Sequence, residues 1–434
     1  MSPVSIGYIS IAVMIVLIVL RVPVAFAALT AGLGGMFCLL PPQAALRFMV
    51  SDIYTQLNSY SFSLIPMFVI MGYFAEMSGM TKRLFDAFYV WVGWIRGGLC
   101  AATVLACAAF AAVCGSGAAT AATIGRVAYP QMKRYNYDDS LSTGCIAAAG
   151  TLGPMIPPSG TLVIYAVMTE QSITKCLLSG IIPGIIIAIF MTILVAVMCK
   201  RNPVLGPPGP KTDWGTKLKA LPSLAETAAL FFFVIGGMYG GLFSPTQAGT
   251  AGVFGALMIG LFRGGFTWKA VWNATKESLR VSCMIMFMIT GSVVFGHLLS
   301  LSTFSFSLIE WAQHLPVSPT VIVIIIIIFY IIGGCLMDAL GLIVLTIPIT
   351  APLVIKLGFD PIWFGLIICM MGEIGAITPP VGISVYVVKA IVPEVPLSKI
   401  FRGIVPFLGV ILLVLILVIA FPILATFIPS LTRY

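Results

Sequence analysis

Apolar runs of bilayer-crossing length follow one another along nearly the whole chain, which restricts it to a bundle of membrane-embedded helices. They fall near 4–20, 23–40, 62–78, 98–114, 116–131, 140–152, 158–170 and 179–199, and again near 221–241, 245–262, 281–299, 318–336, 338–355, 362–375, 380–392 and 404–428. About 20 apolar residues cross the hydrocarbon as a helix, and only helices or closed barrels satisfy their own backbone there. Charged residues make up 9% of the chain, against roughly 25% in soluble domains. The expected fold class is all-α and polytopic, surrounded by membrane lipid. Met1-Ser2-Pro3-Val4 carries no basic n-region, so residues 5–20 read as a first span rather than a leader. The net charge of +9 is dispersed between apolar segments, which marks topology and gives no reason to expect a nucleic-acid partner.

One polar stretch, 201–220, divides the chain into a first half at 1–200 and a second at 221–434. Its Asn-Pro and Pro-Pro-Gly-Pro content reads as a cytoplasmic linker. Across it the sequence repeats. Gly150-Thr151-Leu152-Gly153-Pro154-Met155-Ile156-Pro157-Pro158-Ser159-Gly160 returns 222 positions on as Gly372-Glu373-Ile374-Gly375-Ala376-Ile377-Thr378-Pro379-Pro380-Val381-Gly382. At the same spacing Pro23 meets Pro245, Ser116 meets Asp338 and Pro130 meets Pro352. Several matches in order indicate duplication.

Charge orients the halves. The connection at 41–60 has Arg47 balanced by Asp52, while its counterpart carries Arg263, Lys269, Lys276 and Arg280. The next connection reverses this, with Lys82, Arg83 and Arg96 in the first half and no Lys or Arg across 299–318. With the linker in the cytoplasm, only Arg47, Lys175, Lys356 and Arg433 of the 23 Lys and Arg fall outside, and Arg126 falls within the membrane. The pattern predicts two inverted-topology repeats, the usual build of secondary transporters.

Each repeat shows two interruptions. Cys114-Gly115-Ser116-Gly117 and Gly333-Gly334-Cys335-Leu336-Met337-Asp338 separate short arms of about 16 residues, marginal for a crossing. Both read as tips of re-entrant helical hairpins. The Pro-Pro pairs break a second helix, where Gly153 and Gly375 are expected to permit unusual backbone angles. The freed carbonyls at one half-helix end suit a small cation, and the N–H groups at the next suit an anion. Asp338, a carboxylate inside an apolar region, is the best single candidate for a cation ligand. Its mate Ser116 offers a neutral oxygen. Glu373 admits a structural or a functional reading. Arg126 either meets a substrate carboxylate or extends its charge to the cytoplasmic edge.

Other chemistries find little support. No P-loop, His-Glu-x-x-His or Gly-x-Ser-x-Gly is present, so neither an enzyme nor a nucleotide-driven pump is expected. His297 and His314 form no metal pair by spacing, and Ser159 as a nucleophile would need one of them. Cys100, Cys107 and Cys114 recur every seven residues and read as small packers on one helix face. An ion or solute channel is the alternative to a transporter.

The Gly375–Gly382 stretch, Gly153-Pro154-Met155-Ile156-Pro157-Pro158-Ser159, Pro23-Val24-Ala25-Phe26 and Gly236–Thr246 together resemble the large membrane subunit of TRAP transporters, the tripartite ATP-independent periplasmic systems. The resemblance covers essentially the whole chain. Cys114 stands where the family often has Ser, Gln247 where Glu is common and Asn136 where Gly is. The resemblance implies sodium-coupled uptake of a small organic acid in a bacterial inner membrane, with sodium as coupling ion and no further cofactor. It implies two partners, a small four-helix membrane subunit and a periplasmic substrate-binding protein. It also implies an elevator mechanism, with transport elements at about 98–170 and 318–392 sliding against a scaffold. By position, one sodium site would use Ser116 with oxygens near Gly153, Ile156 and Pro158. The other would use Asp338 with Gly375, Thr378, Pro380 and Gly382. Arg126, Ser159 and Thr161 are the candidate substrate contacts.

Overall fold

The computed structural model describes residues 2–264 and 266–432; Arg433, placed outside the membrane by the charge pattern, lies beyond them. Among the described residues every regular element is helical. Among these described residues, seven helices are long and apolar enough to span a membrane.

The first hairpin consists of Gly98–Cys114 and Gly117–Arg134, the second of Pro319–Leu336 and Ala339–Lys356. Each is followed by a helix in two pieces. Asp139–Gly150 gives way to Gly160–Met168, and Pro361–Ile377 to Ile383–Ile391. Pro157-Pro158 and Pro379-Pro380 are cis. Proline cannot donate to the preceding turn, so the α-helix cannot run through either pair.

The halves interlock. The second arm of each hairpin packs against the second half-helix of the opposite half. The outer framework is also paired: Val24–Leu39 lies on Trp268–Leu301, and Pro245–Phe262 on Leu64–Met77. Glycines set the approach in both pairs. A Cβ on Gly291 would stand 2.6 Å from Ala25 O, and one on Gly252 would stand 2.2 Å from Met71 Sδ. Small residues let membrane helices come close enough for dispersion to hold them.

Several connections are themselves helical. Residues 41–60 hold Pro42–Leu57, and Met80–Val92 and Phe304–Gln313 occupy the next pair of connections. Residues 268–280 belong to the 34-residue helix Trp268–Leu301. These segments are amphipathic, so their mean apolarity hides a helical stripe. In Met80–Val92 the buried set is Met80, Thr81, Leu84, Phe85 and Ala87, the spacing of one helix face. The linker is shorter than 201–220, because Asp213 caps Trp214–Phe231 by accepting from Gly215 N at 3.0 Å and Thr216 N at 3.3 Å.

Glu226 joins residues from both halves, accepting from Arg83 Nε at 2.5 Å and Arg263 Nε at 2.9 Å. The charge pattern assigned both arginines to the cytoplasmic side, and the fold brings them to one carboxylate.

Candidate functional site

Both hairpin tips and both breaks meet at one cavity of about 190 Å³. The first tip contributes Cys114 to Ala119 and the second Asp338 to Leu340. Pro154, Pro158, Gly160 and Thr161 come from the first break, and Glu373, Ala376, Ile383 and Ser384 from the second. The framework closes the remaining side with Tyr73, Glu76 and Ile285 among others.

The tips turn in different ways. In the first, Gly115 takes φ +66° and Ser116 caps the second arm, its hydroxyl facing Ala119 N at 3.5 Å. In the second, Met337 is extended, and Asp338 caps the arm by accepting from Leu340 N at 3.2 Å. Ser116 and Asp338 are both solvent-accessible and both line the cavity.

Gly153 and Gly375 do not take positive φ; in the breaks that role falls to Gly382, at φ +61°. The expectation of unusual angles at the former pair is corrected by their packing. A Cβ on Gly153 would lie 2.6 Å from Ser116 O, and one on Gly375 would lie 2.4 Å from Gly334 Cα. Each glycine admits the tip of its own hairpin. Two more contacts fix that seating. A Cβ on Gly115 would stand 2.3 Å from Pro158 O, and Val381 N donates to Cys335 O at 3.3 Å.

Of the other residues expected here, Pro158 and Thr161 line the cavity. Gly153, Ile156, Gly375, Thr378, Pro380 and Gly382 lie in the surrounding breaks rather than on its wall. Thr378 Oγ1 donates to Ile374 O at 2.6 Å. Ser159 is buried and caps its half-helix, accepting from Leu162 N at 3.2 Å. His297 instead contacts Asp52 at 2.9 Å, so the fold builds no Ser–His pair at Ser159. Arg126 is exposed and outside the cavity. It sits seven residues after Ala119, on the same face of the second arm, two turns further on.

Glu76 was not singled out in the sequence. Its carboxylate accepts from Thr123 Oγ1 at 2.7 Å, joining the framework helix to the first hairpin. An acidic residue near the end of the apolar run at 62–78 was the available signal. The cavity wall thus carries Glu76, Asp338 and Glu373 and no Lys, Arg or His. Carboxylates removed from water need a positive partner or donors. The wall can hold cations.

Fold and site together define a polytopic helical membrane protein with a central, acidic-lined cavity. Residues 11–424 match the family described as tripartite ATP-independent periplasmic transporter, DctM component. The chain belongs to this family, as a large membrane subunit of the TRAP type, and is a multi-pass protein of the inner membrane. It is 32% identical to the C4-dicarboxylate TRAP transporter large permease protein DctM of Pseudomonas aeruginosa, over 92% of each chain. It is 28% identical to the sialic acid TRAP transporter large permease protein SiaM of Vibrio cholerae, over 94% of this chain and 95% of that one. Among solved structures, the fold is similar to that of the Alcanivorax borkumensis YdaH transporter. The TM-score is 0.61 at 12% identity, over 89% of each chain.

Proposed function

We propose that this chain carries out sodium-coupled uptake of a small organic acid, handed over by a periplasmic binding protein. The observation that carries this reading is the convergence of two capped helix tips and two broken helices on one cavity whose charged residues are all acidic. An acid cannot enter such a cavity favourably unless cations enter with it. Ser116 and Asp338, with the carbonyls of the adjacent breaks, are the proposed ligands. Sodium suits sites made of neutral and carboxylate oxygens.

In this reading the halves are inverted repeats, and hairpins with broken helices move as a block against the framework. Elevator sliding would break the Glu76–Thr123 hydrogen bond that joins block and framework. Thr161 meets the substrate, Ser159 orders the half-helix that presents it, and Arg126 stands on the approach. The relatives named for C4-dicarboxylate and sialic acid support a carboxylate as cargo. A small four-helix membrane subunit completes the complex.

The test is uptake into proteoliposomes containing both membrane subunits, with substrate found by a thermal-shift screen of the binding protein. Uptake should require an inward sodium gradient and the binding protein. Uptake that persists unchanged without either would overturn the proposal in favour of a channel.

A further inference from the structure

We infer that Glu373, from the second half, supplies the anionic ligand for the cation held at the first hairpin tip. The inference rests on the sodium reading above and extends it to a residue that reading leaves without a role.

Glu373 is 5% exposed and lines the cavity. Among the described residues no side chain or backbone group donates to its carboxylate, and no basic residue lines the space it faces. A carboxylate held this way is costly unless a cation or a proton reaches it. Its Oε2 lies toward the first hairpin, in the cavity that Asp338 of the second tip also lines. A Cβ on Gly117 would stand 2.8 Å from Glu373 Oε2 and 3.2 Å from Gly150 O. The carboxylate therefore lies against the first turn of Gly117–Arg134, where Ser116 caps the helix. A Cβ on Gly153 would meet Ser116 O at 2.6 Å, so the first break packs directly on the tip that Glu373 faces, with the carbonyls of Ser116 and Gly150 beside it. Hard cations bind such all-oxygen sets, and affinity rises with the number of charged ligands.

The duplication explains why the charge comes from the other half. The second tip carries its own carboxylate, Asp338. The first has only Ser116. The mate of Glu373 across the repeat is Thr151, which is buried and donates to Ala148 O at 2.7 Å. Each tip therefore receives one carboxylate, from its own cap in one case and from the opposite repeat in the other. Gly117 must lack a side chain for this contact to exist.

The test is sodium-dependent thermal stabilisation of the purified chain, with choline chloride holding ionic strength constant. Glu373→Gln should move the sodium midpoint up by roughly 10–100-fold and flatten the response. Glu373→Asp should recover part of it. Gly117→Ala, which displaces the carboxylate without removing a charge, should raise the midpoint several-fold and serves if Glu373→Gln does not fold. A wild-type midpoint and steepness in Glu373→Gln would overturn the inference, even with a changed melting temperature in choline, and so would an unmoved midpoint in Gly117→Ala. A wild type indifferent to sodium would instead sink the sodium reading itself, and this assignment with it.

Discussion

The outer arm of the first hairpin, Gly98–Cys114, is built largely of Ala, Gly and Cys, whereas its counterpart Pro319–Leu336 carries a run of isoleucines. The first arm packs against Met80–Val92, Ile181–Arg201, Leu64–Met77 and Trp214–Phe231 as well as its own hairpin and broken helix. The second rests mainly on Pro361–Ile377 and leaves Ile324, Ile325, Ile328 and Ile332 on the outer surface. The two hairpins thus lead to similar breaks in two environments. Small residues allow close helix contact where the hairpin is enclosed, and branched apolar residues suit a face turned toward hydrocarbon. The difference teaches that tolerance to substitution and the chemistry of the tips are set separately.

Exchanging the capping residues sharpens that comparison most. Asp338→Asn should raise the sodium concentration for half-maximal uptake by roughly 10–100-fold, through loss of a charged ligand. Ser116→Ala should raise it only a few-fold. Equal shifts would mean that the tips do not differ in the way their caps suggest.

The packing contrast gives the next effect. Ala102 in the first hairpin is 0% exposed, and Ile328 in the second is 49% exposed. Ala102→Leu should cost about 1–3 kcal/mol by overpacking and lower the thermal midpoint. Ile328→Ala should stay within about 0.5 kcal/mol. The reverse order would break the comparison.

Thr123→Val should remove the one donor to Glu76 among the described residues. Leaving that acceptor unmatched costs about 1–3 kcal/mol if it stays buried, and less because Glu76 faces the cavity. A melting curve identical to wild type would show that this contact does not hold the first hairpin to the framework.

The smallest effect belongs to the surface. Lys133 Nζ donates to Glu394 Oε1 at 2.7 Å, and this bond is the main cause holding the Glu394 carboxyl below its usual range. A depressed carboxyl contributes stability above its unfolded pKa, about 4.3, and loses it as pH falls through the folded value. Both side chains are exposed, so salt screens the pair. Lys133→Ala should melt almost as wild type does at pH 7, and any difference should vanish in acid or high salt.

Much of this architecture is legible because hydrocarbon imposes simple rules. The run at 98–114 coincides with the helix Gly98–Cys114, and both Pro-Pro pairs interrupt helices as proline chemistry requires. Ser116 and Asp338 could be found because a capping oxygen or charge inside an apolar stretch is conspicuous. The amphipathic connections escaped because their polar residues dilute the apolar signal, although the stripe in Met80–Val92 was there to be counted. Gly153 and Gly375 could be selected but not explained, since a sequence does not tell a close approach from a positive φ. The reach of Glu373 to Gly117 joins residues far apart in the chain, and no local pattern encodes it.

Whether each hairpin tip holds a coupling ion is settled most directly by counting ions. In proteoliposomes of the complete complex, the ratio of sodium-22 to substrate influx is expected to be about two in wild type, one ion for each tip. It should fall toward one in Asp338→Asn. A ratio near zero in wild type, or an unchanged ratio in a variant that still transports, would contradict the account.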